Sequence, residues 1–208
     1  YVPEDDNKDN AYVEFNLSDY DKKDSELIYY SSVEEAILNS PLNAENEEFS
    51  VPEDFLNHVD EILHIWNGKQ YDTIFYRAGS DNDPVQGFVM ARCKKQVEEA
   101  SVQYAFMNAT PVTTKADSIL ISDITELIRS SLKLSDFQQD LNPNYPDTRF
   151  VFGYAHDKEI YSLEVEGQKP DGVIEINVYD RTMYLWYYDD LKSDKRGNNL
   201  SYSVDVPE

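Results

Sequence analysis

The chain has 208 residues, of which 41 are acidic and 18 basic, for a formal charge of −23. Its 40% hydrophobic and 13% aromatic content is too rich for a disordered acidic tail, and a field of this sign repels nucleic acid and anionic membranes while favouring cationic partners. A single cysteine, Cys93, excludes an intrachain disulfide, and no run of about 18 apolar residues is present to form a membrane-spanning helix.

The first fifty residues hold 14 acidic against 3 basic side chains, a net of −11. Residues 1–10 read as an acidic leader, and the start at Tyr1 rather than Met leads us to expect that an N-terminal signal or anchor has been removed ahead of it. Residues 11–16 (AYVEFN) and 26–30 (ELIYY) read as short strands around a polar turn. Ser32 and Glu35 form a capping box that predicts a short helix ending near Pro41. A second box, Ser50 and Glu53, precedes Phe55, Val59, Ile62, Leu63 and Trp66, which recur at helical spacing and predict a second helix ending at Gly68.

Three strands are then expected at 73–78 (TIFYRA), 87–94 (GFVMARCK) and 102–109 (VQYAFMNA). A third helix at about 123–132 follows, capped by Ser122 and facing the core through Ile124, Leu127, Ile128 and Leu132. The segments at 72–81, 87–96 and 102–108 are echoed by 147–157, 160–169 and 182–188, with an extra strand at 173–178. Two helix-plus-meander units, about 32–112 and 118–206, are therefore expected within a single domain spanning 11–208. Strands that follow one another directly favour antiparallel pairing, so the fold class is α+β, with about seven strands and three helices on one sheet face.

Strand alternation then separates a core face from a free one. In 173–178 the core set is Ile174, Ile176 and Val178, leaving Glu175 opposite. In 160–166 Tyr161, Leu163 and Val165 point inward, leaving Glu164 and Glu166 outward. In the aromatic strand RTMYLWYYDDL, Met183, Leu185 and Tyr187 are core, so Tyr184, Trp186 and Tyr188 join the glutamates on the free face. Aromatic anchors beside carboxylates make an interaction surface for a basic protein, and these six residues are the expected partner-binding set.

Catalytic chemistry finds little support. His58 and His64 lie six apart on the expected second helix, on opposite faces, and cannot share a metal. No metalloprotease, P-loop, nucleophile-elbow or dinucleotide-binding motif occurs. The cluster at Asp81 and Asp83 lacks the length and terminal Glu of a calcium loop and reads as a hairpin turn. No catalytic residue, metal or cofactor is expected.

The element order, together with the segments VPEDFLNHVDEILHIWNG, VEGQKPDGVIE and MYLWYYDDLKSDK, resembles the TipC-type immunity proteins of streptococci and their relatives, which protect cells from their own type VII-secreted LXG toxins. The resemblance runs over most of the chain from about residue 11. It implies a non-enzymatic, crescent-shaped domain outside the cytoplasm, held by an N-terminal membrane anchor. A concave sheet surface of that domain would grip a toxin acting on lipid-linked cell-wall precursors. The partner expected is thus the cognate toxin domain, with no nucleic acid bound. The alternative from another class is an acidic nucleic-acid mimic that inhibits a cytosolic DNA-binding enzyme.

Overall fold

The structure, a computed structural model, describes residues 23–40, 55–79, 85–115, 123–135, 148–178 and 181–206. The expected strand at 11–16, the caps at Ser50 and Ser122, and the turn at 81–83 lie outside them. Within the described residues the chain is α+β and antiparallel, as expected, with two α-helices and nine strands in three sheets. None of those helices is long and apolar enough to cross a membrane.

The first sheet is a meander in the order β1-β2-β3-β4, formed by Glu61–Asn67, Tyr71–Ala78, Val85–Glu98 and Ser101–Lys115. The second has β8 (Arg181–Tyr188) between β5 (Val151–Ala155) and β7 (Gly172–Val178). A two-stranded ribbon joins β6 (Glu164–Val165) to β9 (Tyr202–Ser203). The single seven-stranded sheet is thereby corrected, and the second unit is not a meander, because 160–166 supplies a 3-10 turn at Lys158–Ser162 and only the two residues of β6.

Helices cover opposite outer faces rather than one. Helix α1 (Val33–Asn39) packs Val33, Ala36 and Ile37 onto Ile74, Tyr76, Val89, Ala91 and Phe106 of the first sheet. Helix α2 (Ile124–Lys133) packs Ile124, Ile128 and Leu132 onto Val151, Ala155 and Trp186 of the second. Between the sheets lies a third core of Trp66, Phe75 and Phe88 against Phe150, Ile176, Met183 and Leu185. The order of layers is helix, sheet, sheet, helix, so each sheet is covered on both faces where a helix lies over it, while Glu175 and Asn177 of β7 stay exposed. His64 stacks on Tyr187 at 3.9 Å with Nε2 3.1 Å from Asp189 Oδ1, and Trp66 Nε1 donates to Asp189 O at 3.2 Å, tying β1 to the end of β8.

The expected second helix is corrected as well. Residues 55–57 form one 3-10 turn, and Glu61–Asn67 is strand β1, paired with β2 through a bulge between Ile62 and His64. Ile62 and Ile65 face the α1 core while Leu63 and Trp66 face the inter-sheet core. A strand with apolar side chains on both faces and one extra residue at a bulge reproduces the i, i+1, i+4 spacing of a helix, and the ladder to β2 decides for strand.

The first helix starts as expected. Ser32 Oγ accepts from Glu35 N at 3.1 Å, while the Glu35 carboxylate turns to Ser31, accepting from its N–H at 3.2 Å and its hydroxyl at 2.6 Å. Ser32→Ala removes that cap and should lower stability by about 1 kcal/mol, measured by urea unfolding, with Ser32→Asp restoring most of it. The strand expected at 26–30 reduces to a reciprocal bridge between Tyr30 and Tyr104 after a 3-10 turn at Asp24–Glu26. Helix α2 takes its cap from Asp123, whose carboxylate accepts from Thr125 N at 2.8 Å.

Candidate functional site: a tyrosine and glutamate patch beside a cleft on the second sheet

The alternation separates the two faces of β8 correctly, but neither is left to solvent: Met183, Leu185 and Tyr187 face the inter-sheet core and Tyr184, Trp186 and Tyr188 the core under α2. Trp186 is 0% exposed and Tyr188 2%, both in the core under α2. The Tyr188 hydroxyl donates to Gln168 O at 2.9 Å and accepts from Val165 N at 3.1 Å, so β6 and its turn close over it. Gly153, opposite Trp186 on β5, lets α2 approach: a methyl there would overlap Ser131 Oγ and the Trp186 ring. The expectation of Trp186 and Tyr188 as exposed anchors is therefore corrected. A second layer, invisible to strand alternation, covers that face.

Glu166 is also turned to structural use. It and Gly167 adopt left-handed φ of 51° and 72° in a two-residue hairpin turn between Val165 and Gln168. Its carboxylate takes Lys195 Nζ at 2.8 Å and the Ser201 hydroxyl at 2.7 Å, and these hydrogen bonds hold it down to about 2. Such a group is committed inside the chain and offers a partner little. Glu164 sits half-buried on β6, opposite Ser203.

Glu175 and Tyr184 remain together. They are cross-strand neighbours, but only Glu175 is exposed: Tyr184, one row beyond Trp186, is buried at 9% in the same core, so the expectation of it as an exposed anchor is corrected as well, although it still lines the cleft described below. Tyr161, assigned inward from sequence, is 51% exposed because its segment is a 3-10 turn rather than a strand. Its hydroxyl donates to Glu175 Oε1 at 2.7 Å, and its ring meets Tyr184 edge-on at 5.7 Å. That hydrogen bond pushes the Tyr161 phenol up to about 12. The Tyr184 phenol is raised by burial and then by the charges of Glu175, Glu159 and Asp157.

Beside this pair opens a cleft of about 450 Å³ lined by His156, Asp157, Lys158, Glu159, Arg181, Thr182 and Tyr184. Burial lowers the His156 pKa, with Asp157 pulling it up and Arg181 pulling it down. The cleft lining balances Asp157 and Glu159 against Lys158 and Arg181, so the acidic and aromatic contact area is the exposed Tyr161–Glu175 pair beside it. Comparison with protein-family models, with curated proteins and with solved structures finds no match to this chain.

Proposed function

We propose that this chain is a non-enzymatic immunity protein that binds and neutralises a secreted antibacterial toxin acting in the cell envelope. The observation that carries the reading is the exposed pair of Tyr161 and Glu175, which share a hydrogen bond against the edge of the buried Tyr184 beside the cleft that Asp157 and Glu159 help to line. A net charge of −23 adds a field that draws a basic partner toward any such contact and raises its association rate. In this proposal the cleft plays the part of the concave grip that the TipC-type resemblance implies. The toxin would be an LXG protein of the type VII pathway. The protein would work outside the cytoplasm behind a membrane anchor. Neutralisation requires only that the toxin's active region be occluded or held from its substrate, so no catalytic group is needed.

Changing Tyr161 to Ala together with Glu175 to Gln should lower affinity for the toxin domain encoded beside this chain by about tenfold or more, since both side chains are exposed and adjacent. Surface plasmon resonance on the folded variant checks this, and an unchanged dissociation rate would move the contact off the cleft.

A further inference from the structure

One place on this acidic chain inverts its charge. Helix α2 buries Ile124, Ile128 and Leu132, and the residues that follow the last two, Arg129 and Lys133, flank that stripe with exposed side chains. Against this flank pack the 3-10 turn at Gly197–Asn199, where buried Gly197 takes a left-handed φ of 47°, and strand β9, whose Tyr202 hydroxyl donates to Thr125 O at 3.2 Å. The seam leaves a pocket of about 250 Å³ lined by Arg129, Leu132, Lys133, Gly197, Leu200 and Tyr202. That lining holds two cations and no carboxylate, in a chain where 41 acidic residues face 18 basic ones.

Both cations are unspent. Among the described residues no hydrogen bond or ion pair holds either side chain. Asp123 is committed to the Thr125 N–H and hydroxyl, and Arg129 is the last of the influences on its carboxyl. One turn apart on a helix, the two side chains start about 5–6 Å from each other, so a guanidinium and an ammonium can meet on one small anion.

Donor supply decides which anion. The Tyr202 hydroxyl is already given to Thr125 O and the Leu200 N–H to Gly197 O, leaving Arg129 and Lys133 as the side-chain donors of the lining. A carboxylate is satisfied by such a pair, whereas phosphate sites add a cradle of backbone N–H groups. The field of the whole chain also opposes a dianion about twice as strongly as a monoanion. Leu132 and Leu200 are buried and apolar beside the Tyr202 ring, so hydrocarbon suits the rest of the space. That space equals about eight water molecules, smaller than a drug-sized site and enough for one short side chain. We propose that this pocket binds a carboxylate carrying a short apolar side chain, as a free acid or at the end of a peptide, with Arg129 and Lys133 on the carboxylate and the hydrocarbon against Leu132, Leu200 and Tyr202. The site shares no residue with the cleft at His156 and Tyr184, and the inference does not depend on the toxin-binding reading.

Titration of the isotope-labelled chain with N-acetyl-leucine, N-acetyl-leucinamide and inorganic phosphate, followed through backbone amide shifts, tests the idea. The expected result is saturable shifts at residues 129–133 and 197–202 with N-acetyl-leucine in the millimolar range, and binding about tenfold or more weaker for the amide and for phosphate. Changing Arg129 and Lys133 together to Gln should weaken N-acetyl-leucine by about tenfold or more with the thermal midpoint nearly unchanged, since both side chains are exposed, and Lys133→Arg should keep the binding. A tripeptide ending in leucine that binds as well as N-acetyl-leucine assigns the site to chain ends, and one that binds about tenfold worse assigns it to free acids. No saturable shift at those amides would overturn the proposal. An equal response to the amide or to phosphate, or a double Gln variant that binds like the parent, would do the same.

Discussion

Replacing Trp186 by alanine should lower the unfolding free energy by about 3–5 kcal/mol, the range for deleting a large aromatic side chain from a packed core. The ring is fully buried under α2, edge-on to Tyr188 at 6.2 Å, in a site that Gly153 and Ser131 are shaped to admit. The loss removes a large share of what a domain of this size has in reserve, so much of the variant should be unfolded at moderate urea. The same substitution on an exposed sheet face would weaken partner binding and leave stability nearly unchanged. Urea titration separates the two roles, and a loss below about 1 kcal/mol would contradict the burial described here.

Asp72→Ala should be comparably damaging, about 3–5 kcal/mol, for an electrostatic reason. Asp72 is 2% exposed on β2 and takes Lys95 Nζ at 2.8 Å and the Gly68 N–H at 3.0 Å. Its removal strands an ammonium whose side chain is 14% exposed, beside an unpaired backbone donor. The double change Asp72→Leu with Lys95→Met should cost less than either single change, since it removes both charges and leaves apolar groups in their place. If the single and double variants lose stability additively, the pair is not coupled as the geometry requires. Cys93 lies in the same layer, and burial followed by the Asp72 charge pushes its thiol up to about 12, which keeps it unreactive.

Several of these features were legible in the residues and others were not, for identifiable reasons. The spacing of Ile124, Ile128 and Leu132 marks α2, and the alternation of Met183 and Leu185 against Tyr184 and Trp186 separates the two faces of β8 as the structure does. Alternation cannot count layers. With one sheet assumed, one face of β8 had to be free, whereas two sheets and two outer helices bury both. Double burial also produced the β1 error, because a strand that is apolar on both faces and bulged at Leu63 loses its period of two. Glu166 gave no signal beyond Glu-Gly, a weak hint of the left-handed turn it makes. Glu175 is exposed as alternation expects because it sits in regular strand, Tyr184 is buried with the rest of its face, and Tyr161 was assigned inward because a 3-10 turn resets the register. The strands expected at 87–94 and 102–109 run longer than alternation of apolar residues suggests, because the pairing of β3 with β4 continues through Lys95–Glu98 and Ser101.

Whether the acidic surface of this chain grips a basic toxin, as proposed, is decided by titration calorimetry of the wild-type chain against LXG toxin domains. The account predicts tight one-to-one binding per chain at low salt that weakens severalfold or more at high salt, as screening removes the long-range attraction. No heat of binding at either salt, with both proteins folded, would contradict it.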